Sequence, residues 1–249
     1  MKEVAIGLCG WNGSQRSYFE QFDCIEVQST FYDPPGVDIA RRWKAKAPDN
    51  FQFCIKAWQL ITHTPASPTY RRLRKPVSES DKPLLGDFQT TEPVMQAWKR
   101  TEEIAAAVNA CVILFQCPKS FLPTSTNLSN LYRFFRAIKR GPFQLAWEPR
   151  GEAWDEDVAR ELCQELDLIH CVDPFLNRSS HGIPQYWRLH GIGAYSYRYT
   201  DEDLLRLKGQ LVRTHQPTFL MFNNFSSKVD AIRFREMLGA ENERIIRDR

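Results

Sequence analysis

Hydrophobic and polar positions follow two alternating periods along this chain. Short apolar or alternating runs occur at Val4–Cys9, Cys24–Gln28, Phe51–Lys56, Cys111–Gln116, Phe143–Glu148, Leu168–Val172, Tyr186–His190 and Thr218–Phe222. Each is rich in β-branched, aromatic or aliphatic residues and predicts a strand. Several are apolar on both faces, as strands covered on both sides must be. Between them, apolar residues recur three and four apart. Val94, Trp98, Thr101, Ala105 and Val108 share a face, as do Leu128, Leu131, Phe135 and Ile138. Trp154, Val158, Leu162 and Leu166 repeat every four residues, and Leu204, Leu207 and Leu211 follow the same rule. These stripes predict helices, the last opened by Thr200, Asp201 and Glu202 as cap and acidic first turn. Segments 36–47 and 226–238 also read as helical, whereas the helices after strands one and six are weak or very short.

Eight strands with helical crossovers leave an open doubly wound sheet or a closed barrel. Gly7, Gly10 and Gly13 after the first strand do not form the dinucleotide fingerprint, and no long helix follows them. The pattern therefore predicts an α/β fold, a single closed (β/α)8 TIM barrel over residues 1–249. Its first and last strands should be neighbours, and both termini should lie at the N-terminal face or flank. The segment from Ala57 to Thr91 breaks the rhythm, with neither a strand nor a long helix and with Pro65, Pro68, Pro76 and Pro83 along it. A connection this long inside a compact domain is functional or mobile. Following strand three, it belongs to the C-terminal face, where barrels carry their chemistry.

Composition narrows the class. With 43% hydrophobic and 25% charged residues, collagen, disorder and coiled coil are excluded. The net charge of +3 decides nothing about partners. The longest apolar stretches, such as Cys111–Phe115, fall far short of the roughly 18 residues of a membrane span. The apolar run at the N-terminus is too short for a signal-peptide core. Seven cysteines, an odd number without C-x-x-C spacing, sit mostly in apolar runs and read as buried thiols in a reducing cytoplasm. Cys9 and Cys117 stand at strand ends, where a thiol can be reactive.

The strand ends collect polar groups: Trp11 after strand one; Glu26, Gln28, Ser29, Thr30 and Tyr32 at strand two; Lys56 and His63 at strand three; and Gln116 at strand four. Glu148 and Arg150 follow at strand five, Asp173 at strand six, Arg188 and His190 with Tyr195 and Tyr197 at strand seven, and Asn223 and Asn224 at strand eight. Glu26, Lys56, Glu148 and Arg188 lie within or at the tips of apolar runs, where a charge is costly unless paired. They form either an ion-pair network closing the barrel mouth or a functional site.

The strings GLCGW at 7–11, IEVQSTFY at 25–32, FCIKAWQLITH at 53–63, LFQCPKSF at 114–121, LAWEPRGEAW at 145–154, WRLHG at 187–191 and FLMFNN at 219–224 resemble the YecE-like family. This is a TIM-barrel family named for a domain of unknown function. Its usual forms are GTSGW, VEINSTFY, F-x-F-x-x-K…ITH, LFQLPPSF, VEFR-x-x-SW, Y-x-R-x-HG and FNN. The matches run in order along nearly the whole chain. This sequence departs at Cys9 (usually Ser), Gln28 (Asn), Trp147 (Val) and Pro149 (Phe), and the stretch between Trp11 and Cys24 is shorter than usual. The family's kinship with xylose-isomerase-like and endonuclease-IV-type barrels implies nucleic-acid or phosphate chemistry, of a nuclease or phosphoesterase kind.

Glu148, His190, Lys56, Glu26 and Asp173 are the candidate catalytic residues. Trp11, Ser29, Thr30, Tyr32, His63, Gln116, Arg150, Arg188, Tyr197, Asn223 and Asn224 are the candidate ligand-binding residues. Glu148 beside Arg150, with His190 and Lys56, suits proton transfer. Lys56 reads foremost as a counter-charge to Glu26 or Glu148, and a desolvated Lys56 could form a Schiff base. Glu26, His63, Glu148, Asp173 and His190 could ligate one divalent ion, but five histidines are too few for a trinuclear zinc site; no metal and no particular cofactor is assigned. Arg71, Arg72, Arg74 and Lys75 crowd the long loop as candidate nucleic-acid contacts, with Trp11, Trp58 and Tyr197 as stacking faces. Three readings follow: an enzyme on nucleic acid or a phosphate-bearing small molecule, a non-catalytic binder of the same ligands, or a metal-free carbohydrate-active or lyase-type enzyme using Glu148 and His190 as acid and base. No membrane partner is expected, and no oligomeric state is indicated.

Overall fold

A computed structural model describes the backbone of residues 3–247 and the side chains of residues 3–239. The expected position of the two termini falls on residues 1, 2, 248 and 249, outside the described residues. Eight strands form one sheet: β1 (Val4–Cys9), β2 (Cys24–Val27), β3 (Gln52–Lys56), β4 (Val112–Gln116), β5 (Gln144–Glu148), β6 (Ile169–His170), β7 (Gln185–Leu189) and β8 (Thr218–Phe222). All pairings are parallel, in the order β6-β5-β4-β3-β2-β1-β8-β7. The first and last strands pair, with Val4 opposite Thr218 and Leu8 opposite Phe222. The remaining seam, β6 to β7, closes through a bridge between Val172 and Trp187, where the Arg188 N–H donates to the Val172 carbonyl at 2.8 Å. The result is the expected α/β TIM barrel.

Nine helices are described: α1 (Gln15–Gln21), α2 (Ser29–Tyr32), α3 (Val37–Lys46), α4 (Gln59–Thr62), α5 (Glu92–Val108), α6 (Ser125–Ala137), α7 (Glu156–Glu165), α8 (Asp201–Thr214) and α9 (Ser227–Arg247). The apolar stripes land where the spacing predicts. α5 buries Val94, Trp98, Thr101, Ala105 and Val108, and α8 buries Leu204, Leu207 and Leu211. At the start of α8 the Thr200 side chain accepts from the Asp203 N–H, and Asp203 caps Thr200 in return, a reciprocal box. The weak helix after strand one is the seven-residue α1. Among the described residues no helix lies between β6 and β7. No described helix is long and apolar enough to cross a membrane.

Strand alternation separates two cores. Outward residues such as Ile6, Leu8, Ile25, Val27, Phe53 and Ile55 pack against the helices. Inward residues form a second cluster of Ala5, Cys24, Cys54, Val112, Leu114, Ala146, Ile169, Cys171, Tyr186, Phe219 and Met221, the layered filling of a closed barrel. All seven cysteines are free thiols. Burial pushes Cys9 and Cys117 up in pKa, so neither is an activated nucleophile.

Between β3 and α5 the chain makes only α4 and two 3-10 turns, Pro68–Arg72 and Lys82–Leu84. It is nevertheless anchored. Gly86 and Phe88 N–H groups donate to the Leu60 and Ile61 carbonyls, each at 2.9 Å. Gly86 has φ +83°, and a Cβ there would stand 2.5 Å from the His63 backbone, so this return needs glycine.

Candidate active site at the barrel mouth

The inward positions nearest the C-terminal ends of the strands are polar, and they meet around one side chain. Arg188 on β7 is fully buried. Its Nη2 donates to Glu26 Oε1 at 2.9 Å, and its Nε donates to Glu26 Oε2 at 3.0 Å, a two-pronged pair. Its Nη1 donates to Glu148 Oε2 at 2.5 Å and to Gln116 Oε1 at 3.2 Å. The Tyr186 hydroxyl donates to Glu26 Oε2 at 2.9 Å, and the Gln28 amide donates to Glu26 Oε1. The guanidinium thus neutralises two carboxylates that would otherwise be buried and unpaired, at a cost of several kcal/mol each. Glu148 and Glu26 in turn raise the pKa of Arg188 against the opposing effect of burial.

Glu148 also accepts from Arg150 Nη1 at 2.9 Å. Burial pushes its carboxyl up, but the surrounding basic groups, Arg188 foremost, outweigh burial and hold it at about 2. A carboxyl so held carries no proton near neutrality, which removes the acid role that its neighbours suggested.

His190 is fixed at both ring nitrogens. Asp173 Oδ2 accepts from the His190 backbone N–H at 2.9 Å and lies 3.3 Å from Nδ1. Nε2 lies 3.1 Å from Arg150 Nη1 and 3.3 Å from Arg188 Nη1. Guanidinium groups only donate, so these contacts assign Nε2 as acceptor and Nδ1–H as the donor to Asp173. Glu148 Oε1, at 3.3 Å from Nε2, would stabilise a proton bound there by its charge. Arg150 Nη2 donates to the Tyr195 hydroxyl at 3.1 Å, and the Tyr195 ring packs edge-on against His190.

Lys56 breaks the expectation of a counter-charge. Its Nζ donates to Gln116 Oε1 at 2.8 Å and stands 3.8 Å from the Phe31 ring centroid. Among the described ion pairs it has no carboxylate; Arg188 has taken both. Burial and then Arg188 lower its pKa to about 7. His63 sits beside the same Phe31 ring and bonds Thr62 Oγ1 at 2.7 Å. Burial, with Lys56 nearby, lowers His63 to about 3, leaving it neutral.

Other predicted residues serve the scaffold. The Thr30 hydroxyl lies 2.7 Å from both the Val27 and Lys56 carbonyls, tying the ends of β2 and β3. Tyr197 donates to Asp203 Oδ2 at 2.7 Å and supports the start of α8 rather than offering a free ring. Asn224 Nδ2 donates to the Tyr197 carbonyl and to Asp230 Oδ2, so it pins α9. Asn223 contributes its backbone N–H to the Leu189 carbonyl at 2.8 Å. Trp11 is wedged against Tyr18, Phe19 and Trp43 rather than standing as an open stacking platform. Ser29 is exposed at the start of α2. In the basic loop all four residues are exposed; Arg72 stacks on Tyr32 at 3.4 Å and Arg74 pairs with Asp33, which leaves Arg71 and Lys75 as the two without such a contact among those described. The candidate set drawn from the sequence omits Tyr186, Gln28 and Tyr195. The two-residue period of β7, which puts Tyr186 on the face of Arg188 and His190, was the signal for the first.

Among the described residues no three His, Cys, Asp or Glu side chains are placed to share a metal ion. Glu26 and Glu148 are both engaged by Arg188, so the residues present do not fit a resident metal.

The model of a family described as "Protein of unknown function DUF72" matches residues 7–249. The YunF protein of Bacillus subtilis (strain 168) is 22% identical over 94% of this chain and 93% of its own length. The YecE protein of Escherichia coli (strain K12) is 34% identical over 72 residues, which is 25% of this chain and 26% of YecE. A DUF72 family protein from Enterococcus faecalis V583 superposes with a TM-score of 0.74 at 18% identity, over 95% of this chain and 97% of that one. Endonuclease IV from Thermus thermophilus superposes with a TM-score of 0.52 at 12% identity, over 95% and 99% of the two chains. At those identities the structural likeness shows the fold alone, whereas the family match covers nearly the entire sequence. This chain belongs to the DUF72 family.

Proposed function

We propose that the barrel mouth is an acid–base site for a phosphate-bearing ligand, with nucleic acid as its first candidate. One observation carries this reading: His190, oriented by Asp173, presents Nε2 to Arg150, a partly exposed cation at the rim. An oxyanion binding Arg150 draws that guanidinium toward itself and frees the imidazole nitrogen to take a proton. Glu148 and Arg188 hold the surrounding charge fixed, as pre-organised sites require. The exposed Arg71 and Lys75 on the long loop, with the outer edge of Arg72, supply charge for a phosphate backbone. The name of the fold neighbour endonuclease IV agrees with such a ligand, but its 12% identity transfers no chemistry.

The carbohydrate-active alternative needs Glu148 to donate a proton. With the surrounding basic groups, Arg188 foremost, holding it at about 2, that role has little support.

The test is fluorescence anisotropy of single- and double-stranded oligonucleotides at two salt concentrations. Replacing Arg71, Arg72, Arg74 and Lys75 with Ala should flatten the log–log salt slope by about two to three, because Arg74 is already spent on Asp33. His190→Asn should retain binding and abolish turnover. Binding of the wild type no tighter than roughly 10⁻⁴ M, the weak end of non-specific affinity, sinks the nucleic-acid reading in favour of a phosphorylated small molecule.

A further inference from the structure

Lys56 is the buried cation of the mouth that the acid–base scheme leaves unused. It sits at the C-terminal tip of β3, only 5% exposed. A lysine buried to that degree ordinarily finds a carboxylate. Here both nearby carboxylates face Arg188 instead, and Lys56 shares the single acceptor Gln116 Oε1 with that guanidinium, at 2.8 and 3.2 Å. Its other neighbour is the face of Phe31. Desolvation and an adjacent cation disfavour the ammonium and outweigh the opposing pull of Glu26 and Glu148, so near neutral pH a substantial share of the amine is unprotonated, the reactive form of lysine toward carbonyl groups.

We propose that Lys56 forms an imine with the aldehyde of a phosphorylated sugar bound in the mouth. This rests on the phosphate-binding reading above and adds the substrate class. The Nζ lone pair adds to the carbonyl carbon. The C=O π pair moves to oxygen, which takes a proton relayed through His190. The carbinolamine then loses its hydroxyl as water while nitrogen gives up a proton, so aldehyde and amine become imine and one water. No oxidant or metal is consumed. Arg150, bonded to Glu148, would anchor the phosphate; Gln116, which holds the Lys56 amine, also accepts from Arg188, the guanidinium on the other oxygen of the same Glu148 carboxylate. A free sugar phosphate and the ring-opened sugar of a base-less nucleotide present the same two groups.

The proposal is tested by reductive trapping. Wild type is incubated near pH 7 with cyanoborohydride and one of three probes: 2-deoxyribose 5-phosphate, 2-deoxyribose without phosphate, or an oligonucleotide with a single base-less site. Adducts are located by peptide mass mapping. The expected result is one adduct per chain at Lys56, formed at least tenfold faster than at any other lysine and absent from Lys56→Met. That variant removes the amine without burying a new charge, and circular dichroism checks that it is folded. Adducts spread over surface lysines, or unchanged labelling of Lys56→Met, overturn the proposal. Phosphate dependence separates the two readings. If the phosphate-free sugar labels Lys56 as fast as its phosphate, the imine stands and the phosphate site fails. If phosphorylated probes bind without trapping, the phosphate site stands and the imine fails. The relative rates of the free sugar phosphate and the oligonucleotide then decide which source the mouth serves.

Discussion

On β7, Tyr186, Arg188 and His190 face the barrel interior, while Gln185 and Trp187 face outward, beside the gap where no described helix follows β6. The inner face is saturated. The Arg188 guanidinium, the Glu26 and Glu148 carboxylates and the Tyr186 hydroxyl all have partners. The outer face is not. Trp187 Nε1 and Gln185 Oε1 have no hydrogen-bond partner within the protein, and both residues line a groove of about 620 Å³ shared with Arg178 and Arg213. One strand thus handles burial in two ways. Where charges are buried, every donor must be answered, because an unpaired ion is worth several kcal/mol. Where only an indole N–H or an amide oxygen is at stake, going without a protein partner costs at most about 1–3 kcal/mol, and the fold leaves these groups at the groove.

The largest effect should come from breaking the inner face. Arg188→Met takes the guanidinium from two buried carboxylates, leaving Glu26 with only neutral donors, and urea denaturation should show a loss of about 3–5 kcal/mol. A loss below about 1 kcal/mol would mean that Glu26 and Glu148 find other partners.

Acid sharpens the same point. Glu148 is held at about 2 against an ordinary value of 4.5. Its depressed value contributes stability that is fully present above about pH 4.5 and is lost as pH falls toward 2. The contribution is on the order of 3 kcal/mol. Stability measured from pH 5 to pH 2 should fall less steeply in Glu148→Gln than in wild type.

Lys56 acts with the opposite sign. Its folded value, about 7, lies below the ordinary 10.5. Between these values the unfolded chain binds more protons, so stability rises with pH. From pH 7 to 9 the wild type should gain about 2–3 kcal/mol relative to Lys56→Met. Parallel curves for the two proteins would show an ordinary, solvated amine.

The outer face should respond least. Trp187→Phe removes an unsatisfied N–H along with some apolar area, and these terms offset. Thermal or urea unfolding should place it within about 1 kcal/mol of wild type. Trp147→Phe is the control. Trp147 Nε1 donates to Cys117 Sγ at 3.1 Å, so that change should cost roughly 1–2 kcal/mol more.

The strands were legible because a barrel strand is apolar on both faces, and these runs are short, rich in β-branched and aromatic residues and set between helical stripes. The predicted runs and the observed strands differ by at most three residues per strand, the largest trimming being β6, reduced to Ile169–His170 where its crossover lacks a helix. The polar mouth was also legible, since charges embedded in apolar runs demand partners. Roles within it were not. Thr30, Tyr197 and Asn224 carry the same kinds of groups as Tyr195 and Gln28, yet the first three are taken up by backbone carbonyls and helix caps. Likewise, four clustered basic residues read alike in sequence, but Tyr32 and Asp33 at the end of α2 contact Arg72 and Arg74.

The sequence by itself determined the element order, the barrel and the set of charges facing its mouth, because these follow from local periodicity and from the cost of burying charge. Only the tertiary structure decided which charge answers which. That Arg188 rather than Lys56 neutralises Glu26 and Glu148 depends on strands separated by up to 162 positions along the chain. A planar guanidinium can bridge two carboxylates at once, and an ammonium cannot match that geometry. Once Arg188 holds that place, Lys56 is left buried without a carboxylate in direct contact, and burial together with the neighbouring guanidinium leaves its proton weakly held.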